Sequence, residues 1–134
     1  MNYIFLYLAT LVAFLGIDFI WLTQVAQKFY KEKIGHLMAE TPNLLPALVF
    51  YLFFVVGIII FAVNPGLKES SWKITAMYGA LFGFFTYATY DLTNFSTLKD
   101  WPVIVTVVDI IWGVILCTVI SLISFFFAKL VLKM

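Results

Sequence analysis

Apolar residues in this chain run in four blocks, 3–25, 44–63, 72–94 and 102–128, each bounded by polar or turn-forming residues. Each block is near the length of about 20 residues that a hydrocarbon core about 30 Å thick demands of a helix. Backbone N–H and C=O groups find no water inside a bilayer, so such segments must satisfy themselves as helices. The punctuation agrees with four helices. Thr41-Pro42-Asn43 precedes the second, Asn64-Pro65-Gly66 closes it, Ser70-Ser71 offers N-caps for the third, and Asp100-Trp101-Pro102 opens the fourth. The first block lacks a basic leading region and a small-residue cleavage site, so it reads as a helix and not as a signal peptide. Connections this short make successive helices antiparallel. The expected fold is all-α: one domain, 1–134, forming an antiparallel four-helix transmembrane bundle with both termini on one side.

Three acids interrupt the apolar pattern, and the topology brings them together. Asp18 is late in the first block, Asp91 late in the third and Asp109 early in the fourth, so all three belong to one side of the membrane. No lysine lies beside them in their blocks. A charged side chain near the bilayer centre costs about 2.5 to 3.5 kcal/mol on insertion scales, which is why such residues mark cavities, ion paths or ligand sites. At 1.5 Å per residue Asp109 lies about 12 Å beyond Trp101. A shared cavity about one-third of the way into the bilayer is therefore expected to hold Asp18 and Asp109, with Asp91 nearer the rim.

Helical spacing surrounds these acids with polar-tipped aromatics. Trp21 stands three residues after Asp18 and Trp112 three after Asp109, a D-x-x-W on each of two helices. Tyr87, Asp91 and Asn94 share one face of the third helix, Thr106 accompanies Asp109, and Tyr51 enters from the same side on the second. Trp and Tyr can line a pocket and donate hydrogen bonds to carboxylates at once. The same residues also suit plain interhelical hydrogen bonds, worth about 0.6 to 2 kcal/mol each. Three acids without an internal cation nonetheless call for a proton, a metal ion or a cationic ligand, and any titration belongs to the cluster as a whole. Lys28 or Lys99 could reach down from the loops and weaken that reasoning.

Composition narrows the partners. The chain has 134 residues, 64% hydrophobic and only 11% charged, which places it in lipid. Eight lysines, no arginine and a formal charge of +1 leave no basic stripe for nucleic acid. Lys28, Lys31, Lys33 and Lys99 flank the carboxylate side, against Lys68, Lys73, Lys129 and Lys133 on the other. The positive-inside rule is thus nearly silent, with the dense first-loop lysines mildly favouring the cytoplasm for the carboxylate side. Cys117 is alone and reads as a packing residue. His36, in the loop with Glu40, reads as a solvated interfacial residue. The stretch 25–38 mixes Phe29, Tyr30, Ile34 and Leu37 with three lysines, as an interfacial amphipathic segment does. Gly79-x-x-x-Gly83 permits close helix approach, either within the chain or across a homodimer. Neither a phosphate loop, an H-E-x-x-H, a Ser-His-Asp set nor a Cys cluster is present. No metal, no cofactor and no soluble-type nucleophilic catalysis are expected.

Asp18-Phe-Ile-Trp-Leu22, the run Tyr87-Ala-Thr-Tyr-Asp-Leu-Thr-Asn94, Trp101-Pro102 and Thr106-Val-Val-Asp-Ile-Ile-Trp-Gly113 together resemble the pattern of a family of small bacterial membrane proteins known as a domain of unknown function. The resemblance spans nearly the whole chain and implies a four-helix protein of a bacterial inner membrane. It implies no activity, so function rests on the residues. Their first reading is binding of an apolar or amphipathic, optionally cationic, ligand drawn from membrane lipids or dissolved in them. Four helices with 15 phenylalanines could enclose a ligand of sterol, isoprenoid or fatty-chain size. Proton-coupled transport by a dimer comes second, and aspartate acid–base catalysis on a lipid third. The candidate ligand-binding residues are Asp18, Trp21, Tyr51, Tyr87, Asp91, Asn94, Thr106, Asp109 and Trp112; no catalytic residue is assigned.

Overall fold

In a computed structural model that describes residues 1–134, every regular element is helical. Helix α1 (Asn2–Ile20) runs into a π-wound turn, Trp21–Val25, and a short α2 (Gln27–Ile34) follows. Helix α3 (Leu44–Ile58) continues through a second π-wound turn, Ile59–Val63, into α4 (Asn64–Glu69). Two long helices, α5 (Trp72–Thr97) and α6 (Val103–Leu130), complete the chain. Three continuous helical stretches are long and apolar enough to cross a membrane: Asn2–Val25, Leu44–Glu69 and Val103–Leu130. Helix α5, at 26 residues, spans about 39 Å, but its threonines, Asn94 and Asp91 dilute its apolar run and it does not join those three.

The boundaries show where local chemistry decides and where packing overrides it. Asn64-Pro65-Gly66 does not close the second helix, contrary to the sequence reading. Pro65 sits in the first turn of α4, where its missing N–H is not needed, and the π-wound turn before it already spaces the hydrogen bonds more widely. The helix stops instead at Ser70, which adopts the left-handed conformation with φ 48°. Ser71 then caps α5, its Oγ accepting from the Ile74 N–H at 3.4 Å. Helix α5 runs three residues beyond the expected Asn94, to Thr97. At the last turn Asp100 takes φ 59° and Pro102 is the N-cap of α6, so this punctuation acts as expected.

Small and polar residues set the packing. Leu6, Thr10, Phe14 and Asp18 form the buried stripe of α1, one every helical turn. Thr10 shares a 2.8 Å hydrogen bond with Ser124 of α6, while Phe14 meets Tyr51 and Phe54 of α3 edge-on, each at 5.4 Å. Between α5 and α6 three glycines let the helices approach closely. Gly79 lies against Ser121, Gly83 against Gly113 and Cys117, and Gly113 against the Tyr87 ring. These pairings step by four residues on both helices in opposite senses, as interdigitating i±4 ridges do. The same register sets Asp91 opposite Asp109. The Gly79-x-x-x-Gly83 stripe thus packs within the chain. Around the molecule α3 contacts α1, α1 contacts α6, and α6 contacts α5, which meets the second helical stretch at its π-wound turn and α4.

Candidate functional site

Asp18 closes the buried stripe of α1 and is 8% exposed. The Tyr51 hydroxyl donates to its Oδ2 at 2.6 Å. Immediately afterwards the helix widens into the π-wound turn that begins at Trp21, whose ring reaches α6. There the Trp21 and Trp112 rings stack with centroids 4.2 Å apart and planes 7° from parallel. The chain then bends at Ala26, φ −108° and ψ −4°, and α2 returns toward α6. Its Tyr30 hydroxyl donates to Oδ1 of Asp109 at 2.7 Å and accepts from the Trp21 indole N–H at 3.3 Å. Each of the two carboxylates is therefore held by one tyrosine from a different helix. The indole Nε1 of Trp112, beside Asp18, is buried without a partner.

These groups surround a cavity of about 250 Å³. Its polar floor is Asp18 and Asp109, and its walls are Trp21, Tyr30, Tyr87, Tyr90, Trp101 and Trp112, with Leu22, Ile34, Met38 and Val105 filling the rest. Of the nine residues singled out from sequence, Asp18, Trp21, Tyr87, Asp109 and Trp112 line it. Tyr51 reaches Asp18 from α3 without lining the cavity. Asp91, expected near the rim, is instead completely buried, 0% exposed, and neither carboxyl oxygen has a hydrogen-bond partner. Thr106 does not line the cavity; it accepts from the Trp101 indole N–H at 3.0 Å and donates to the Asp91 carbonyl at 3.4 Å. That bond pulls Trp101 across the end of α5, where Tyr90 meets it edge-on at 6.2 Å. Asn94, one turn further along α5, falls outside this closure and does not line the cavity.

No lysine reaches the acids. The ion pair present joins Lys28 to Glu32 on the exposed face of α2, at 4.0 Å. His36 and Glu40 are exposed on the connection that follows, and no three His, Cys, Asp or Glu side chains group at ligating distance. Among the aromatic and polar lining residues, Tyr30, Tyr90 and Trp101 are the ones that the sequence reading did not single out. A signal for the first existed: Tyr30, Ile34 and Met38 recur every four residues in the amphipathic stretch, and all three face the cavity.

Burial, and next the bond to Asp109, raise the Tyr30 hydroxyl above the ordinary tyrosine range, so it remains a donor at any physiological pH. A raised folded-state pKa contributes stability that is present below the unfolded value and lost as pH climbs through the folded one. Tyr30→Phe should therefore lower the melting temperature of the detergent-solubilised protein, by the equivalent of about 1 to 3 kcal/mol. The deficit should be constant from about pH 6 to about pH 9 and shrink only at strongly alkaline pH. Circular-dichroism melts of both proteins across that range would show it, and coincident melts at neutral pH would remove Tyr30 from the supporting network.

The family model described as Predicted membrane protein (DUF2177) matches residues 3–126, nearly the whole chain, and the chain belongs to that family. No curated protein and no solved structure gives a match.

Proposed function

We propose that this membrane protein of the DUF2177 family crosses a bacterial inner membrane as an antiparallel four-helix bundle and binds an amphipathic cation in its aspartate cavity. The spanning role of α5 is supported by its seam with α6, which runs from Gly79 against Ser121 to the Asp91 carbonyl on Thr106. A helix zipped to an apolar span over that length shares its depth. Cysteines placed at positions 36 and 99 should then be labelled from one face of the membrane and one at position 68 from the other. Labelling of 36 and 99 from opposite faces in uniformly oriented vesicles would exclude four spans.

The observation that carries the binding role is the pairing of Asp18 and Asp109 in one cavity walled by six aromatic rings, with no lysine in reach. Carboxylates supply the countercharge and ring faces attract a cation by their quadrupoles, a combination suited to alkylammonium groups. At about 250 Å³ the cavity is smaller than the roughly 300 to 1,000 Å³ of drug-sized sites, so it suits a headgroup better than a sterol body. The lining Trp21, Trp101 and Trp112 make binding visible by fluorescence. Tetramethylammonium should quench or shift that emission saturably, and Asp18→Asn and Asp109→Asn should each weaken it at least about tenfold, or about 1.4 kcal/mol, while leaving the thermal melt nearly intact. A featureless titration, or unchanged affinity in both variants, would sink the proposal. Transport would add cation accumulation driven by a pH gradient in proteoliposomes, and catalysis would add a product.

A further inference from the structure

Helix α5 touches the second helical stretch where Phe61 and Phe82 stack at 6.0 Å, along the π-wound turn. Toward Phe50 the two helices part, and the edge-on approach of Phe54 to Tyr87 at 6.5 Å is their last aromatic contact. The gap holds a second cavity, about 290 Å³. It shares Tyr87, Tyr90 and Asp109 with the aspartate cavity. On its other flank it shares Phe50, Phe54 and Thr86 with an open surface groove. Phe85 of that groove is 61% exposed, so the groove faces the molecule's surroundings. Apolar, aromatic-walled spaces thus adjoin one another from the flank of the bundle to the half-buried Asp109.

We infer that the ligand is a long-chain alkylammonium dissolved in the bilayer, which lays its hydrocarbon tail between α3 and α5 while its head occupies the aspartate cavity; this rests on the binding role proposed above. A small cation arriving from water has no use for a lateral gap. A tail anchored in lipid needs one, because its head can then reach Asp109 without the chain leaving an apolar medium. Lipid tails are as apolar as phenylalanine, so the groove adds little affinity of its own. It decides whether a head tethered to a bilayer tail can reach Asp109 at all, so closing it weakens long-chain binding, while charge complementarity at Asp109 selects the head.

The test uses a dodecyltrimethylammonium probe with a photoreactive diazirine at the chain end, added to liposomes containing the intact protein. Cross-links should concentrate on residues 50, 54, 82, 85 and 86 and be suppressed by saturating tetramethylammonium, which competes for the head site alone. Labelling spread evenly around the lipid-facing surface, or indifferent to the competitor, overturns the inference. Thr86→Phe, which fills the gap from the α5 side, should weaken dodecyltrimethylammonium binding about tenfold or more and leave tetramethylammonium binding within about twofold; Thr86→Val should change neither. Undiminished long-chain binding in Thr86→Phe also overturns it, and if that variant loses both ligands the wild-type labelling pattern decides. Failure of tetramethylammonium to bind the wild type would remove the underlying site, an outcome distinct from failure of the lateral route.

Discussion

Gly83→Val should abolish the cooperative thermal transition of the solubilised protein, the largest loss expected of any single substitution outside the cavity. A Cβ at position 83 would collide with the backbone carbonyl of Gly113 and lie 2.9 Å from the Cys117 Cβ. Backbone cannot rotate aside as a side chain can, so α5 and α6 would have to separate along the whole seam. Overpacking a core costs typically about 1 to 3 kcal/mol when side chains absorb the insult. Here they cannot, and the loss should exceed that range against a total stability of about 5 to 15 kcal/mol. Two other glycines serve as controls. At Gly57 a Cβ meets only the outer edge of the Phe82 ring, at 2.8 Å, and at Gly16 it meets nothing within 4 Å. Gly57→Ala should therefore be mild and Gly16→Ala neutral or slightly stabilising, since alanine favours helix by roughly 1 kcal/mol. Melts followed by circular dichroism and size-exclusion profiles would rank the three. A Gly83→Val protein that melts like wild type but changes its oligomeric state would instead move the glycine stripe to an interface between copies.

That seam was readable only as an ambiguity. Gly79-x-x-x-Gly83 announces close approach, but nothing local says whether the approaching helix belongs to the same chain; Gly113, Cys117 and Ser121 become its partners only once α6 is docked. Boundaries set by local chemistry were legible: Ser71 caps α5, and Asp100 and Pro102 turn the chain into α6. Pro65 misled because a proline ends a helix only where the lost hydrogen bond matters. The π-wound turn before it, packed against α5, has no sequence signature.

The site divides in the same way. Trp21 and Trp112 could be placed near each other because i, i+3 spacing on two helices at matching depth is a local property, and they stack at 4.2 Å. Tyr30 could not, since its approach to Asp109 depends on the unpredicted π-wound turn and the bend at Ala26. Face arithmetic put Tyr87, Asp91 and Asn94 on one side of α5, but only Tyr87 lines the cavity. It could not show that the Trp101–Thr106 bond would close the space between them, leaving one in the cavity, one sealed and one outside.

Asp91→Asn should raise the melting temperature by several degrees, an unusual direction for a substitution at a fully buried position. Both carboxyl oxygens of Asp91 are enclosed without a hydrogen-bond partner, and the helix register faces them toward Asp109. A buried carboxyl left without a hydrogen-bond partner costs about 1 to 3 kcal/mol even when it carries a proton, and more when it ionises. The amide keeps the shape, cannot ionise and offers two N–H donors toward the opposing carboxyl, so a gain of about 1 to 3 kcal/mol is expected. Asp18→Asn and Asp109→Asn should gain less, because those carboxylates already accept tyrosine hydroxyls. Thermal melts of the three variants in one detergent make the comparison. A fall in stability for Asp91→Asn would mean that this carboxyl holds a bound proton, ion or water whose loss outweighs the relief of charge. If Asp91→Asn does stabilise, a destabilising acid next to the proposed binding cavity is the kind of feature that function maintains against stability. Tetramethylammonium titration of the stabilised variant then assigns its role: weakened binding marks Asp91 as part of the countercharge behind Asp109, and unchanged binding confines it to packing of the α5–α6 seam.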